Sequence, residues 1–136
     1  MTTFEYRKFF RADIVVRVRY KTTKGPRLSG VAFSKNLSQT GLCIVTADKL
    51  FRNTELELKI YVDDRGKPLT ASGLVIWQSE CSFVPESKRK YYVTGVQIRD
   101  MSPDDAIKGS DFVRDFLIRK SEEENKTIIE KLESLK

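Results

Sequence analysis

The chain alternates. In "DIVVRVRYKT", starting at Asp13, the residues Ile14, Val16, Val18 and Tyr20 fall on one face of an extended strand, and Arg17 and Arg19 fall on the other. A period of two is incompatible with an amphipathic helix, so it constrains the fold more than any other feature. Five more extended runs follow: "LSGVAFS", "GLCIVTA", "ELELKIYVD" with Leu56, Leu58, Ile60 and Val62 inward, "LTASGLVIWQSECSF" around Trp77, and "YYVTGVQIRD". Between them stand "TKGPR" as a turn, "KNLSQT" as a polar loop, "DKLFRN" as a connection or single helical turn, "DRGKP" as a tight hairpin, and the charged loop "PESKRK". Six short strands with brief turns predict a mainly β fold, a six-stranded antiparallel β-barrel. Gly30, Gly73 and Gly95 lie inside strands, where bends or bulges let a small sheet close.

After Asp100 the pattern turns helical. In "MSPDD", Ser102 caps, Pro103 suits the first helical position, and Asp104 and Asp105 favour the positive end of the dipole. Gly109 is expected to interrupt, with Ser110 capping a second, longer helix whose Phe112, Phe116 and Leu117 pack on the barrel. The tail carries a short heptad: Ile118, Asn125 and Leu132 at one seam position, and Ser121, Ile128 and Leu135 at the other. Self-association into a homodimer through this C-terminal helix and a simple solvated or docked helix both stay open. The expected organisation is an N-terminal ligand-binding arm over 1–12, a barrel over 13–101 and a helical segment over 102–136.

Composition removes most enzyme classes. The 136 residues hold no histidine, which excludes Ser–His and Cys–His nucleophiles and histidine-ligated metals. Cys43 and Cys81 form no CxxC pair and are expected as reduced structural thiols. No paired acidic motif stands out between the strands, so no catalytic residue, metal site or cofactor is assigned. No run reaches the roughly 18 apolar residues of a membrane helix, and the start "MTTFEYRKFFR" lacks a secretory h-region. Membrane insertion is not expected, and the expected location is cytoplasmic.

The net positive charge is confined to the first quarter of the chain. Residues 1–30 hold eight Lys/Arg against Glu5 and Asp13, whereas the rest holds 17 basic and 17 acidic residues. An anionic partner is expected to dock there. Two motifs sharpen this: R-x-x-x-R at Arg7 and Arg11, just ahead of the first strand, and N-x-S-x-x-G at Asn36, Ser38 and Gly41, between the second and third. Their separation is about two antiparallel strands, so the N-terminal segment can lie across the turn. An arginine fork matches a guanine edge or a phosphate bidentately and never titrates. Asn36 offers a donor and an acceptor for a guanine edge, Ser38 a hydroxyl, and Gly41 positive φ or close approach of the ligand to backbone. Lys8 is an auxiliary phosphate contact, acting as a point charge. Phe9 and Phe10 read as core in preference to stacking platforms.

In these motifs, in "EYRKFFR", "NLSQTGLCI", Trp77 and "TGVQI", the chain resembles the PilZ domain family over roughly residues 5 to 118. Members of that family carry Asp or Asn where Asn36 stands. The resemblance implies a stand-alone receptor for the bacterial second messenger cyclic di-GMP, bound by Arg7, Lys8, Arg11, Asn36, Ser38 and Gly41. It also implies signalling through an unidentified downstream effector protein in motility, adhesion or exopolysaccharide control. Tyr6, a non-basic residue before Arg7, leans towards one bound ligand over a stacked pair. On this reading the ligand orders the N-terminal arm and presents a new surface.

Two other classes remain. One is a basic barrel binding single-stranded nucleic acid through phosphate contacts, with Phe9, Phe10 and Tyr20 nearby. It ranks below the dinucleotide receptor, and a preference for oligonucleotides with strong salt dependence distinguishes it. The other is a ligand-independent adaptor acting through its tail helix, which tail truncation distinguishes.

Overall fold

The inward-facing residues of the alternating runs meet in one closed interior. The computed structural model describes residues 11–38, 40–62, 66–81 and 90–135. Its elements are β1 (Arg11–Ala12), β2 (Arg17–Thr22), β3 (Ser29–Ser38), β4 (Gly41–Thr46), β5 (Glu55–Tyr61), β6 (Leu69–Cys81), β7 (Tyr91–Met101) and α1 (Pro103–Glu133). The six longer strands pair antiparallel in the order β3-β2-β5-β6-β7-β4, and β4 pairs back to β3. That last pairing closes the expected six-stranded barrel and leaves it no free edge. The two-residue β1 pairs with β3 beyond the end of β2.

Alternation sets the core. Ile14, Val16, Val18 and Tyr20 are all buried, as are Leu56, Leu58 and Ile60, while Val62 is half-buried. Polar groups inside the barrel are paired, as desolvation requires. The Tyr20 hydroxyl donates to the Asp48 carboxylate at 2.5 Å, and the Gln78 amide donates to Thr94 Oγ1 at 2.9 Å. Burial, and then the Asp48 hydrogen bond and charge, push the Tyr20 hydroxyl well above the usual tyrosine range. No disulfide joins the cysteines.

Two bulges interrupt the ladders. In β3, Ser34 pairs with Ile44 and Asn36 with Cys43, so Lys35 is an extra residue. In β6, Val75 pairs with Val96 and Trp77 with Gly95, so Ile76 is extra. Between β1 and β2 the Ser34 side chain takes the place of a ladder bond. Its Oγ accepts from Val16 N at 2.9 Å and donates to Ile14 O at 2.5 Å.

Two expectations are corrected. "KNLSQT" is not wholly a loop, because β3 runs through Ser38; pairing with β4 and β1 overrides the turn preference of Asn and Ser. Gly109 does not interrupt: α1 is one continuous helix of 31 residues. Gly109 instead lies where the helix comes nearest the barrel, since a Cβ there would stand 3.1 Å from Leu69 Cδ1. Packing of its N-terminal half on the barrel outweighs the ~1 kcal/mol a lone helical glycine costs. Ser102 caps as expected, accepting from Asp105 N at 3.2 Å, and the Asp105 carboxylate accepts from Thr70 N at 3.1 Å, tying the helix to β6. Val113 is buried, with Phe112, Phe116 and Leu117 packed around it against the core. Beyond them Ile118, Ile128, Ile129, Leu132 and Leu135 are exposed. "DKLFRN" is turn without a helical segment.

Candidate functional site

The turn from β3 to β4 is built by Ser38. Its Oγ accepts from Gly41 N at 3.2 Å and Thr40 N at 3.3 Å, a side-chain turn of the type serine favours. The hydroxyl also lies 3.1 Å from Gly41 O. Ser38 therefore fixes the shape of the turn with most of its hydrogen-bonding capacity. Gly41 acts within the sheet itself. Positive φ is confined to other positions among the described residues, whereas a Cβ on Gly41 would stand 2.7 Å from the Val96 carbonyl oxygen. Only glycine lets β4 and β7 approach this closely.

Cross-strand partners share a face, so the register assembles the site in rows. One row runs Asn36, Cys43, Gly95, Trp77, and the next runs Gly41, Gln97, Leu74. Ser38 stands at the head of the second row, and the backbone of Arg11 pairs with it from β1. The fold thus brings Arg11, Asn36, Ser38 and Gly41 to neighbouring positions although 30 residues separate the first from the last. Arg7 and Lys8, with the rest of the 1–10 segment, lie outside the described residues, as does the Arg11 side chain.

From β3 to β6 these rows hold no carboxylate, and Glu55, which extends the second row onto β5, is ion-paired with Lys24, which suits an anionic ligand. Asn36 is half-buried and its amide has no hydrogen-bond partner among the described residues, so both ends can meet a base edge. Two further residues belong to this face. Trp77 is 45 % exposed, and its indole fills the space that a side chain on Gly95 would need. Gln97, exposed opposite Gly41, adds a second amide. The sequence marks Trp77 only as a point of resemblance. The bulge at Ile76 breaks the alternation that would have shown its outward direction. The surface therefore combines a planar ring, two amides and an arginine-bearing edge. Among the described residues there is no group of His, Cys, Asp or Glu able to hold a metal ion, and no helix long and apolar enough to cross a membrane.

Comparison with known proteins places this geometry. The PilZ domain model matches residues 5–114. Among solved structures, the chain is similar to the Bacillus subtilis inhibitor of motility MotI/DgrA, with 17% identity and a TM-score of 0.66 over 84% of this chain and 52% of that one. It is similar to the PilZ domain of YcgR from Escherichia coli with c-di-GMP, at 14% identity and a TM-score of 0.62 over 88% and 97% of the two chains. A third likeness is MrkH of K. pneumonia, at 16% identity and a TM-score of 0.67 over 84% and 50%. The chain spans about half the length of MotI/DgrA and of MrkH. No curated protein matches it. The barrel, its closing helix and the matched 5–114 segment lead to one assignment: the chain belongs to the PilZ domain family.

Proposed function

We propose that this chain is a non-catalytic receptor for cyclic di-GMP that acts in the cytoplasm. The reading rests on one observation above all, the pairing of Arg11 with Ser38, which joins the R-x-x-x-R segment to the N-x-S-x-x-G turn on one strand edge. Arg7 and Arg11 grip guanine edges and phosphates, with Lys8 as a further phosphate contact. Asn36 reads a base edge, Gly41 keeps the backbone accessible, and Ser38 holds the turn. Trp77 supplies a stacking surface at the far end of the row. Similar folds are solved with this dinucleotide, including YcgR of Escherichia coli in complex with c-di-GMP, 13% identical to this chain at a TM-score of 0.63.

Arg11 and Ala12 are already held by β3; binding orders the segment ahead of them against the barrel and alters contact with a partner protein, an order–disorder device of known type. Since MotI/DgrA is an inhibitor of motility, motility stands first among the outputs, ahead of adhesion and exopolysaccharide synthesis. The exposed seam of Ile118, Ile128 and Leu132 on α1, with Leu135 just past its end, is the surface for self-association or for that partner. Isothermal titration with cyclic di-GMP, against GTP as control, tests the reading. Saturable heat for the cyclic dinucleotide alone, lost in Arg7→Ala/Arg11→Ala, is the expected result. Equal binding by the double variant would overturn it.

A further inference from the structure

Three of the eight cations in residues 1–30 belong to the candidate ligand site, and five do not. The structure gives three of those five a common surface. Arg17, Arg19 and Lys21 alternate with buried neighbours along β2 and all point outward. Cross-strand partners flank each one: Phe33 and Tyr61 beside Arg17, Val31 and Lys59 beside Arg19, Ser29 and Glu57 beside Lys21. At one end the charges are neutralised, with Lys21 3.8 Å from Glu57 and Lys24 3.3 Å from Glu55. At the other end Arg17, Arg19 and Lys59 have no ion pair among the described residues. The Arg17 guanidinium lies over the Tyr61 ring, 4.4 Å from its centre, while Phe33 is 53 % exposed. An open notch of about 310 Å³ lies beside Arg19, Lys21 and Lys59, and Glu57 is the one acid on its rim among the described residues.

We propose that this β3–β2–β5 face binds single-stranded nucleic acid, apart from the dinucleotide site and independently of it. Alternate residues on a strand repeat about every 6.6 Å. That spacing is close to the separation of successive phosphates in an extended single strand. Arg17 and Arg19 therefore meet consecutive phosphates, and Lys59 adds a cation from the adjoining strand. Phe33 presents a ring for a splayed base, and base stacking on such rings is tolerant of sequence. A closed duplex offers Phe33 no free base face, so the single strand is favoured. An extended acidic peptide matches this charge interval as well, but it offers no base face to stack on Phe33, so it fits less well. Tyr20, the ring the sequence offered for this role, is buried and hydrogen-bonded to Asp48. The stacking ring comes from β3 instead.

The test is fluorescence anisotropy of a labelled oligothymidine, titrated with the full chain at rising salt. Saturable binding at low salt is expected, with a log–log salt slope of about −2 for three neutralised phosphates. Arg17→Gln/Arg19→Gln should weaken it at least tenfold and reduce the slope by about 1.4, since each phosphate contact contributes ~0.7. Phe33→Ala should weaken it at least about fivefold with the slope unchanged. Lys59→Gln, on a different strand, is the second charge variant and should weaken it by a smaller factor. All these side chains are exposed, so unchanged thermal unfolding and unchanged cyclic di-GMP titration show that the variants remain folded. Four results would each overturn the proposal: no binding at low salt, a duplex of equal length binding as tightly, polyglutamate competing as well as unlabelled oligothymidine, or Arg17→Gln/Arg19→Gln binding like the parent.

Discussion

The barrel has two faces that share β3, and they are built in opposite ways. On the β3–β4–β7–β6 side, Gly41 and Gly95 remove side chains so that a carbonyl and an indole can approach, and the rows carry no carboxylate. On the β3–β2–β5 side, long side chains stand outward and several are balanced by ion pairs. The first face is sensitive to what is added to it, and the second to what is removed. Shape governs one and charge the other.

The largest test of that contrast is Arg7→Ala/Arg11→Ala. Each charge-assisted bond is worth about 1.5–3 kcal/mol, so cyclic di-GMP affinity should fall more than about a hundredfold. Calorimetric titration reads the loss, and the thermal midpoint should stay unchanged. Gly95→Val comes next, because the new side chain collides with the Trp77 indole. Overpacking of this kind costs about 2–3 kcal/mol in chemical denaturation, and tryptophan fluorescence should report a displaced ring. A neutral Gly95→Val would break the comparison, since it would mean the first face tolerates bulk.

Trp77→Ala should lower dinucleotide affinity by roughly tenfold if the half-exposed indole stacks on a base; surface plasmon resonance would measure it. The interior shared by both faces provides a smaller effect. Tyr20→Phe removes the bond to Asp48 and should cost about 1 kcal/mol at neutral pH. Burial, with the Asp48 carboxylate, raises the Tyr20 hydroxyl above its unfolded value of about 10. Its contribution to stability is therefore fully present below about pH 10 and is lost as the pH climbs beyond that value. Urea titrations between neutral and alkaline pH should show that decline in the parent and a flatter profile in Tyr20→Phe. Smallest of all, Lys21→Ala breaks only an exposed pair and should change stability by less than about 0.5 kcal/mol. A larger loss in denaturation would show that the charged face also holds the fold.

How far the sequence revealed this molecule depended on period. Six strands and their buried residues were legible because Val18, Tyr20, Leu56, Leu58 and Ile60 keep strict alternation. The motif residues were legible because arginines four apart and a later N-x-S-x-x-G are local strings. What was hidden depends on tertiary neighbours. Two residues of β1 are too few to show any pattern, and Gly109 reads as a helix breaker until Leu69 is seen against it. Trp77 and Gln97 join the site only through pairing across β6, β7 and β4. The flanking of Arg17 by Phe33 and Tyr61 is likewise a matter of register, 16 and 44 residues away in the chain.

The bulge at Lys35 makes the length of β3 as consequential as its chemistry. Before it, Val31 and Phe33 face outward; after it, Asn36 and Ser38 face outward while Leu37 turns into the core. Strict alternation from Phe33 would have sent both polar motif residues inside and Leu37 into water. The extra residue works like a frameshift in the pattern of faces. Losing one amino acid there would turn the motif inside out with every one of its letters intact, so a chain can carry N-x-S-x-x-G and still have no site. In this strand, what qualifies as a binding motif is decided by counting residues as well as by naming them.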